Sequence, residues 1–161
     1  MENSLPTITI RPFENTEADK ALVNDFFGTL DPEARAFFNR GDGNHRIALR
    51  YFDDPEANAE QFLHLMAVDE AGKMLGYVFA FGAGTGVPGI GVCCGSGFKG
   101  RGLGKVMIDE LWARLKERGA AGMWLSTHQA NLRGQMLYYS YGFEHMGNHT
   151  SGEMLFLYRK K

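Results

Sequence analysis

Residues 7–11, Thr-Ile-Thr-Ile-Arg, alternate polar and apolar, the two-residue period of a half-buried strand, and Pro12 ends it. Over residues 16–30 the period changes: Leu22, Val23, Phe26, Phe27 and Leu30 recur at helical spacing. Asp31-Pro32-Glu33 predicts a helix start, with Asp31 as N-cap and a short helix carrying Phe37 and Phe38. Residues 39–61 are polar, with Gly41, Gly43 and Asp53-Asp54-Pro55-Glu56, and predict loop with one helical turn. Residues 62–68 and 74–81 are strands joined by the turn 69–73, and 90–94 is a short strand of small residues after a glycine-rich connection.

The strongest amphipathic signal follows. Leu103, Met107, Leu111 and Leu115 line one face, Val106, Ile108 and Trp112 widen it, and Gly119 stops it. Residues 123–127 predict a strand, 131–141 a helix ended by Gly142, and Phe143 opens a final strand pair with its turn in 147–152. Early hairpins followed by strand-helix-strand units predict an α/β domain on a mixed sheet. No repeat or linker interrupts the chain, so residues 1–161 read as one domain.

The net charge of −2, from 17 Lys and Arg against 19 Asp and Glu, gives no basic footprint for nucleic acid. An anionic ligand would therefore be held by local geometry rather than by the overall field. No stretch approaches the roughly 18 apolar residues of a membrane span. Cys93 and Cys94 are sequence neighbours, too close for an ordinary bridge. Reduced thiols and the lack of a secretory pattern in residues 1–10 predict a cytoplasmic protein.

Chemistry concentrates in the segment Cys93-Cys94-Gly95-Ser96-Gly97-Phe98-Lys99-Gly100-Arg101-Gly102-Leu103-Gly104-Lys105, which joins a strand to the amphipathic helix. Its glycines let backbone N–H groups close on an oxyanion, and the first helical turn adds unsatisfied N–H groups and a positive dipole end. Lys99, Arg101 and Lys105 add charge, so the junction reads as a diphosphate site. It is not a Walker A loop, because Gly104-Lys105 is followed by Val106. Gly95-Ser96-Gly97-Phe98-Lys99-Gly100 has the form of a dinucleotide fingerprint, but the next strand ends in Ser126 and Thr127 where a ribose-binding acid is expected. A dinucleotide-binding protein remains a rival reading.

Lys99-Gly100-Arg101-Gly102-Leu103-Gly104 resembles the Gln/Arg-x-x-Gly-x-Gly/Ala signature of the GNAT superfamily of N-acetyltransferases, with Lys99 in the first place. Asn131, Gly134, Leu137, Tyr138, Gly142 and Phe143 are similar to the family pattern Asn-x-x-Ala-x-x-Leu-Tyr-x-x-x-Gly-Phe, with Gly134 replacing Ala. The resemblance implies a three-layer α-β-α fold on a splayed mixed sheet of about seven strands and four helices. It also implies acetyl-CoA as co-substrate without a metal, with its pantetheine arm along Val92, Cys93 and Cys94. The pyrophosphate would rest on residues 100–104 (Gly100, Arg101, Gly102, Leu103 and Gly104), with Lys99 and Lys105 beside it. Asn131 would touch the cofactor arm, and Tyr138 would protonate the leaving thiolate.

The acceptor would be a small-molecule or peptide amine, taken up by direct transfer in a ternary complex; relatives often form homodimers. Many relatives carry a carboxylate base on the strand before the loop, yet residues 82–98 hold no Asp, Glu or His. His128 and His64 stand as alternatives, as does deprotonation through water. That gap favours a second reading, a non-catalytic acyl-CoA-binding regulatory module. Phe37, Phe38, Tyr51 and Phe52 could wall the acceptor site or simply pack the core. The five histidines are scattered and the paired cysteines lack the spacing of a zinc pair, so no metal site is expected.

Overall fold

In the computed structural model, which describes residues 5–161, seven strands form one sheet and six α-helices cover its two faces. Met1–Ser4, part of the N-terminal stretch read above for a leader, lie outside the described residues. The strands are β1 (Ile8–Pro12), β2 (Phe62–Asp69), β3 (Met74–Phe81), β4 (Gly89–Cys94), β5 (Gly122–Thr127), β6 (Glu144–Asn148) and β7 (Met154–Arg159). The helices are α1 (Glu17–Gly28), α2 (Pro32–Phe37), α3 (Gly43–Asp53), α4 (Pro55–Gln61), α5 (Leu103–Glu117) and α6 (Leu132–Tyr141). The sheet order is β1-β2-β3-β4-β5-β7-β6, with every neighbouring pair antiparallel except β4 and β5.

Strand alternation separates the two cores. Leu65, Val78, Ala80, Leu125 and Phe156 face α5, whose Leu103, Met107, Leu111 and Leu115 are fully buried. Burial of each such side chain contributes about 1.5–3 kcal/mol, so α5 and the glycine loop before it are anchored on the sheet. On the other face Met66, Tyr77, Phe79 and Cys93 pack against Val23, Phe26 and Phe27 of α1 and Ala48 of α3.

The stretch read as loop over residues 39–61 is mostly helical, which raises the helix count from the expected four to six. Ile47, Ala48, Tyr51 and Phe52 carry a helical repeat that charged neighbours obscure, and they pack in the second core. Asp54 caps α4 by accepting from the Ala57 N–H, and Pro55 follows it. This is the same device that was legible at Asp31-Pro32, where Asp31 accepts from the Ala34 N–H.

The feature that positions the site is the β4–β5 junction. These parallel strands are in register only at Gly89 and Trp124, near their starts. Beyond that pair they part, which leaves the edge of β4 from Ile90 to Cys94 without a strand partner on the β5 side. An open strand edge presents main-chain donors and acceptors to whatever enters the gap.

Candidate active site

Two clefts meet in the gap. The first, about 460 Å³, runs between the end of β4, the loop before α5, and α6. Its walls include Val92, Cys93, Cys94, Lys99, Gly100, Gly102, Leu103, Gly104, Lys105, Asn131 and Tyr138, so nearly all the site residues expected from sequence come together. Arg101 is the exception: it donates to the Gly97 carbonyl at 3.1 Å, and its guanidinium lies 5.0 Å from the Phe98 ring centroid. The second cleft, about 320 Å³, lies on the other side of the gap and shares Phe37, Phe38, Val92, Asn131 and Tyr138 with the first.

At the loop, Gly100 and Gly102 adopt φ of +72° and +89°, a conformation that side chains disfavour. Gly102 caps α5 with no side-chain bond, and the first intrahelical bond runs from the Val106 N–H to the Gly102 carbonyl. The N–H groups of residues 103–105 therefore precede the helical ladder; that of Gly104 bonds the Cys94 sulfur, and beside the others an anion is stabilised by N–H groups and dipole together. A Cβ on Gly104 would stand 2.7 Å from Leu137, so glycine is what brings α5 and α6 close at this point. These features fit a diphosphate.

The cations divide. Lys105 faces the cleft, whereas Lys99 Nζ lies 3.0 Å from Asp31 and 3.6 Å from Glu33. Lys99 and the Ser96 hydroxyl, which donates to the Thr29 carbonyl at 2.9 Å, tie the loop to the α1–α2 connection. Arg133, which the sequence reading missed, also lines the cleft and comes near Gly100. Its place in the first turn of α6, two residues after Asn131, was the available signal.

Asn131 is the N-cap of α6: its oxygen accepts from the Gly134 N–H at 3.1 Å, and its Nδ2 donates to Thr127 Oγ1 at 3.0 Å. A Cβ on residue 134 would fall 2.5 Å from Asn131 Nδ2, so the capping side chain lies directly over the glycine.

Tyr138 is buried at the seam of the two clefts, in edge contact with Phe143. Burial, with the Glu153 carboxylate nearby, pushes its phenol well above the usual range and keeps it protonated. Burial also raises both thiols, Cys94 to about 11 despite a hydrogen bond from the Gly104 N–H. Such thiols stay protonated and make poor nucleophiles.

Neither candidate histidine suits a base. His64 is buried among Phe13, Phe62 and Tyr77, bonded to the Tyr77 hydroxyl at 2.7 Å and Asn58 at 3.0 Å, and lines neither cleft. His128 is exposed and packs on Phe37 with ring centroids 5.2 Å apart. Its Nδ1 accepts from the Ala130 N–H at 3.0 Å, so in the neutral ring the proton sits on Nε2 and no lone pair is offered outward. On β4, a Cβ at Gly91 would meet the Phe79 ring at 2.5 Å, and one at Gly89 would meet the Phe81 ring. Aromatic rings thus fill the space where a carboxylate would stand. Tyr51 and Phe52 pack with Phe13 in the core, while Phe37 and Phe38 face the clefts.

Glu153 is a further site residue not expected from the sequence. It lies just before β7, lines the second cleft, and its carboxylate accepts from the Ser126 hydroxyl at 2.8 Å. Only the sheet order, which sets β7 beside β5, brings it there. No helix among the described residues is long and apolar enough to cross a membrane, and no group of three or more His, Cys, Asp or Glu comes together there.

Comparison with solved structures gives the same fold. The GNAT domain of S. lividans PAT superposes with a TM-score of 0.78 at 15% identity, over 94% of this chain and 89% of that one. The PaiA N-acetyltransferase of Thermoplasma acidophilum, in complex with coenzyme A, gives 0.72 at 15% identity over 96% and 99%. Aminoglycoside acetyltransferase AAC(6')-Ib, also in complex with coenzyme A, gives 0.74 at 18% identity over 96% and 95%. No curated protein matches the sequence. The model of the acetyltransferase (GNAT) family matches residues 23–143, and the chain belongs to that family.

Proposed function

We propose that the protein is an N-acetyltransferase that moves an acetyl group from acetyl-CoA to a primary amine by direct transfer in a ternary complex. The observation that carries this reading is the meeting of two clefts at Val92, Asn131 and Tyr138, one with an anion-binding helix start and one without. The diphosphate would lie on the N–H groups of residues 100–105, with Lys105 and Arg133 beside it. The pantetheine arm would pair with the free edge of β4 around Val92, Cys93 and Cys94, and a main-chain N–H there would stabilise the developing oxyanion.

The acceptor enters from the second cleft and loses a proton to solvent to become nucleophilic. Its nitrogen attacks the thioester carbonyl carbon and the C–S bond breaks. Tyr138 gives its proton to the departing sulfur, and a second proton from nitrogen returns through water to the phenolate. The sum is ammonium plus acetyl thioester giving amide, free thiol and one proton. Tyr138 suits this because its buried phenol stays protonated and its hydroxyl has no bonding partner among the described residues. Asn131 holds the first turn of α6, and so Tyr138, in place. The free thiols of Cys93 and Cys94 fit a reducing, cytoplasmic setting.

Free thiol release from acetyl-CoA across a panel of primary amines tests the reading. Amine-dependent release supports it. Tight coenzyme A binding with no turnover would favour a non-catalytic acyl-CoA-binding module, and NAD binding in preference to coenzyme A would favour a dinucleotide protein.

A further inference from the structure

The second cleft has one aromatic wall, and polar side chains, among them Asn44, Ser126, Thr127 and Asn131, line the rest of it with very little charge. Phe79 and Phe81 lie across Gly91 and Gly89 of β4, so two rings cover the strand where side chains would otherwise project. Trp124 meets Phe81 edge-on, with ring centroids 5.3 Å apart, and Phe37 and Phe38 close the side nearest the first cleft. Two residues of opposite charge line this cleft, Glu153 and Arg40. Glu153 is half-buried and accepts from the Ser126 hydroxyl at 2.8 Å, while its position is set by the main chain, where the His149 N–H donates to the Glu153 carbonyl at 2.7 Å. Arg40 is exposed, on the short 3-10 turn Arg40–Asp42.

Geometry places the carboxylate near the transfer point. Glu153 and Tyr138 line the same cleft, and Tyr138 also faces the first one. A carboxylate with one oxygen committed to Ser126 keeps its other acceptor capacity for an incoming N–H donor. An ammonium held there is directed toward Val92 and Tyr138, and the remainder of the molecule has aromatic rings to rest on. A second ammonium would find no second carboxylate in the cleft and would meet the charge of Arg40.

Resting on the acetyltransferase reading above, we propose that Glu153 is the acceptor-binding carboxylate, and that the acceptor is a primary monoamine carried on an aromatic body, not a polycation. Glu153 binds and orients the ammonium before its proton leaves to solvent. The half-buried rings of Phe37, Phe81 and Trp124 select the flat apolar part.

The test compares phenethylamine and tryptamine with spermidine and kanamycin in the thiol-release assay, using native protein, Glu153→Gln, Glu153→Asp and Ser126→Ala. Acetyl-CoA binding to each variant is measured separately by thermal shift. The aromatic monoamines should give kcat/KM at least tenfold above the polycations. Glu153→Gln should raise the amine KM at least tenfold with acetyl-CoA binding unchanged, and Glu153→Asp should recover part of the loss. Ser126→Ala, which removes the protein partner but keeps the charge, should change the amine KM less than threefold. A carboxylate that only braces the hairpin would give the opposite pattern, with Ser126→Ala and Glu153→Gln alike. Preference for spermidine or kanamycin, or an unchanged amine KM in Glu153→Gln, overturns this inference and leaves the acetyltransferase reading standing. Absence of turnover with every amine overturns both.

Discussion

Lys99 Nζ stands 3.0 Å from Asp31 Oδ1, and that same oxygen accepts the Ala34 N–H that caps α2. The cation that opens the glycine loop is thereby committed to the helix across the cleft. Asp31 is held below the usual carboxylate range, first by the Ala34 N–H and then by Lys99. The loop is braced from outside while its own main chain stays open, which is what an anion site built from N–H groups requires.

Lys99→Gln should therefore change the acetyl-CoA KM by less than about fivefold, since a partly exposed pair contributes about 1 kcal/mol or less. Lys105→Gln, whose ammonium has no ion-pair partner among the described residues, should raise it more. Steady-state kinetics with acetyl-CoA varied separates the two. A larger effect at Lys99 would make it a direct phosphate ligand.

Gly102→Val should weaken acetyl-CoA far more than it weakens the fold. Open space surrounds the position, so the folding penalty comes from the φ of +89° and is on the order of 1–2 kcal/mol. The branched side chain would shield the N–H groups that begin α5. Thermal unfolding and titration with coenzyme A should show a small loss of stability beside a loss of binding of tenfold or more.

Tyr138→Phe should lower kcat by about a hundredfold or more and leave the acetyl-CoA KM near its native value. Stability should hold, because the hydroxyl has no bonding partner among the described residues and the ring keeps its contacts with Phe143 and Phe156. The phenol's shift is upward, so the acid form persists past the ordinary tyrosine range. The rate should not fall from phenol ionisation below about pH 10.

His64 predicts an acid-sensitive fold. Burial lowers its pKa from 6.5 to about 4, so the native state binds its proton less readily than the unfolded chain does. Its contribution is fully present above pH 6.5 and is lost as pH falls through about 4, on the order of 3 kcal/mol in all. Urea midpoints should decline across that window, and His64→Gln should flatten the decline.

Much of this was readable from the chain, for local reasons. The face Leu103-Met107-Leu111-Leu115, the glycine loop and the Asn131–Phe143 pattern each report on a few consecutive turns, and each stands where expected. The stretch 39–61 was not readable, because α3 begins after Asp42 at φ +59° with no side-chain cap. Arg50, Asp53 and His45 also interrupt its apolar repeat. Contacts between distant segments were equally hidden. Lys99 reads as a free cation until the fold sets it against Asp31, and the missing base on β4 has no visible cause until Phe79 and Phe81 lie over the glycines. Glu153 gave no local signal at all.

A crystal structure of the protein with coenzyme A tests the central claim most directly. The account predicts diphosphate oxygens within hydrogen-bonding distance of the main-chain N–H groups of residues 100–105, and the pantetheine arm along the open edge of β4 with its sulfur near Tyr138. A ligand seated elsewhere, or phosphates held only by side chains away from the start of α5, would contradict it.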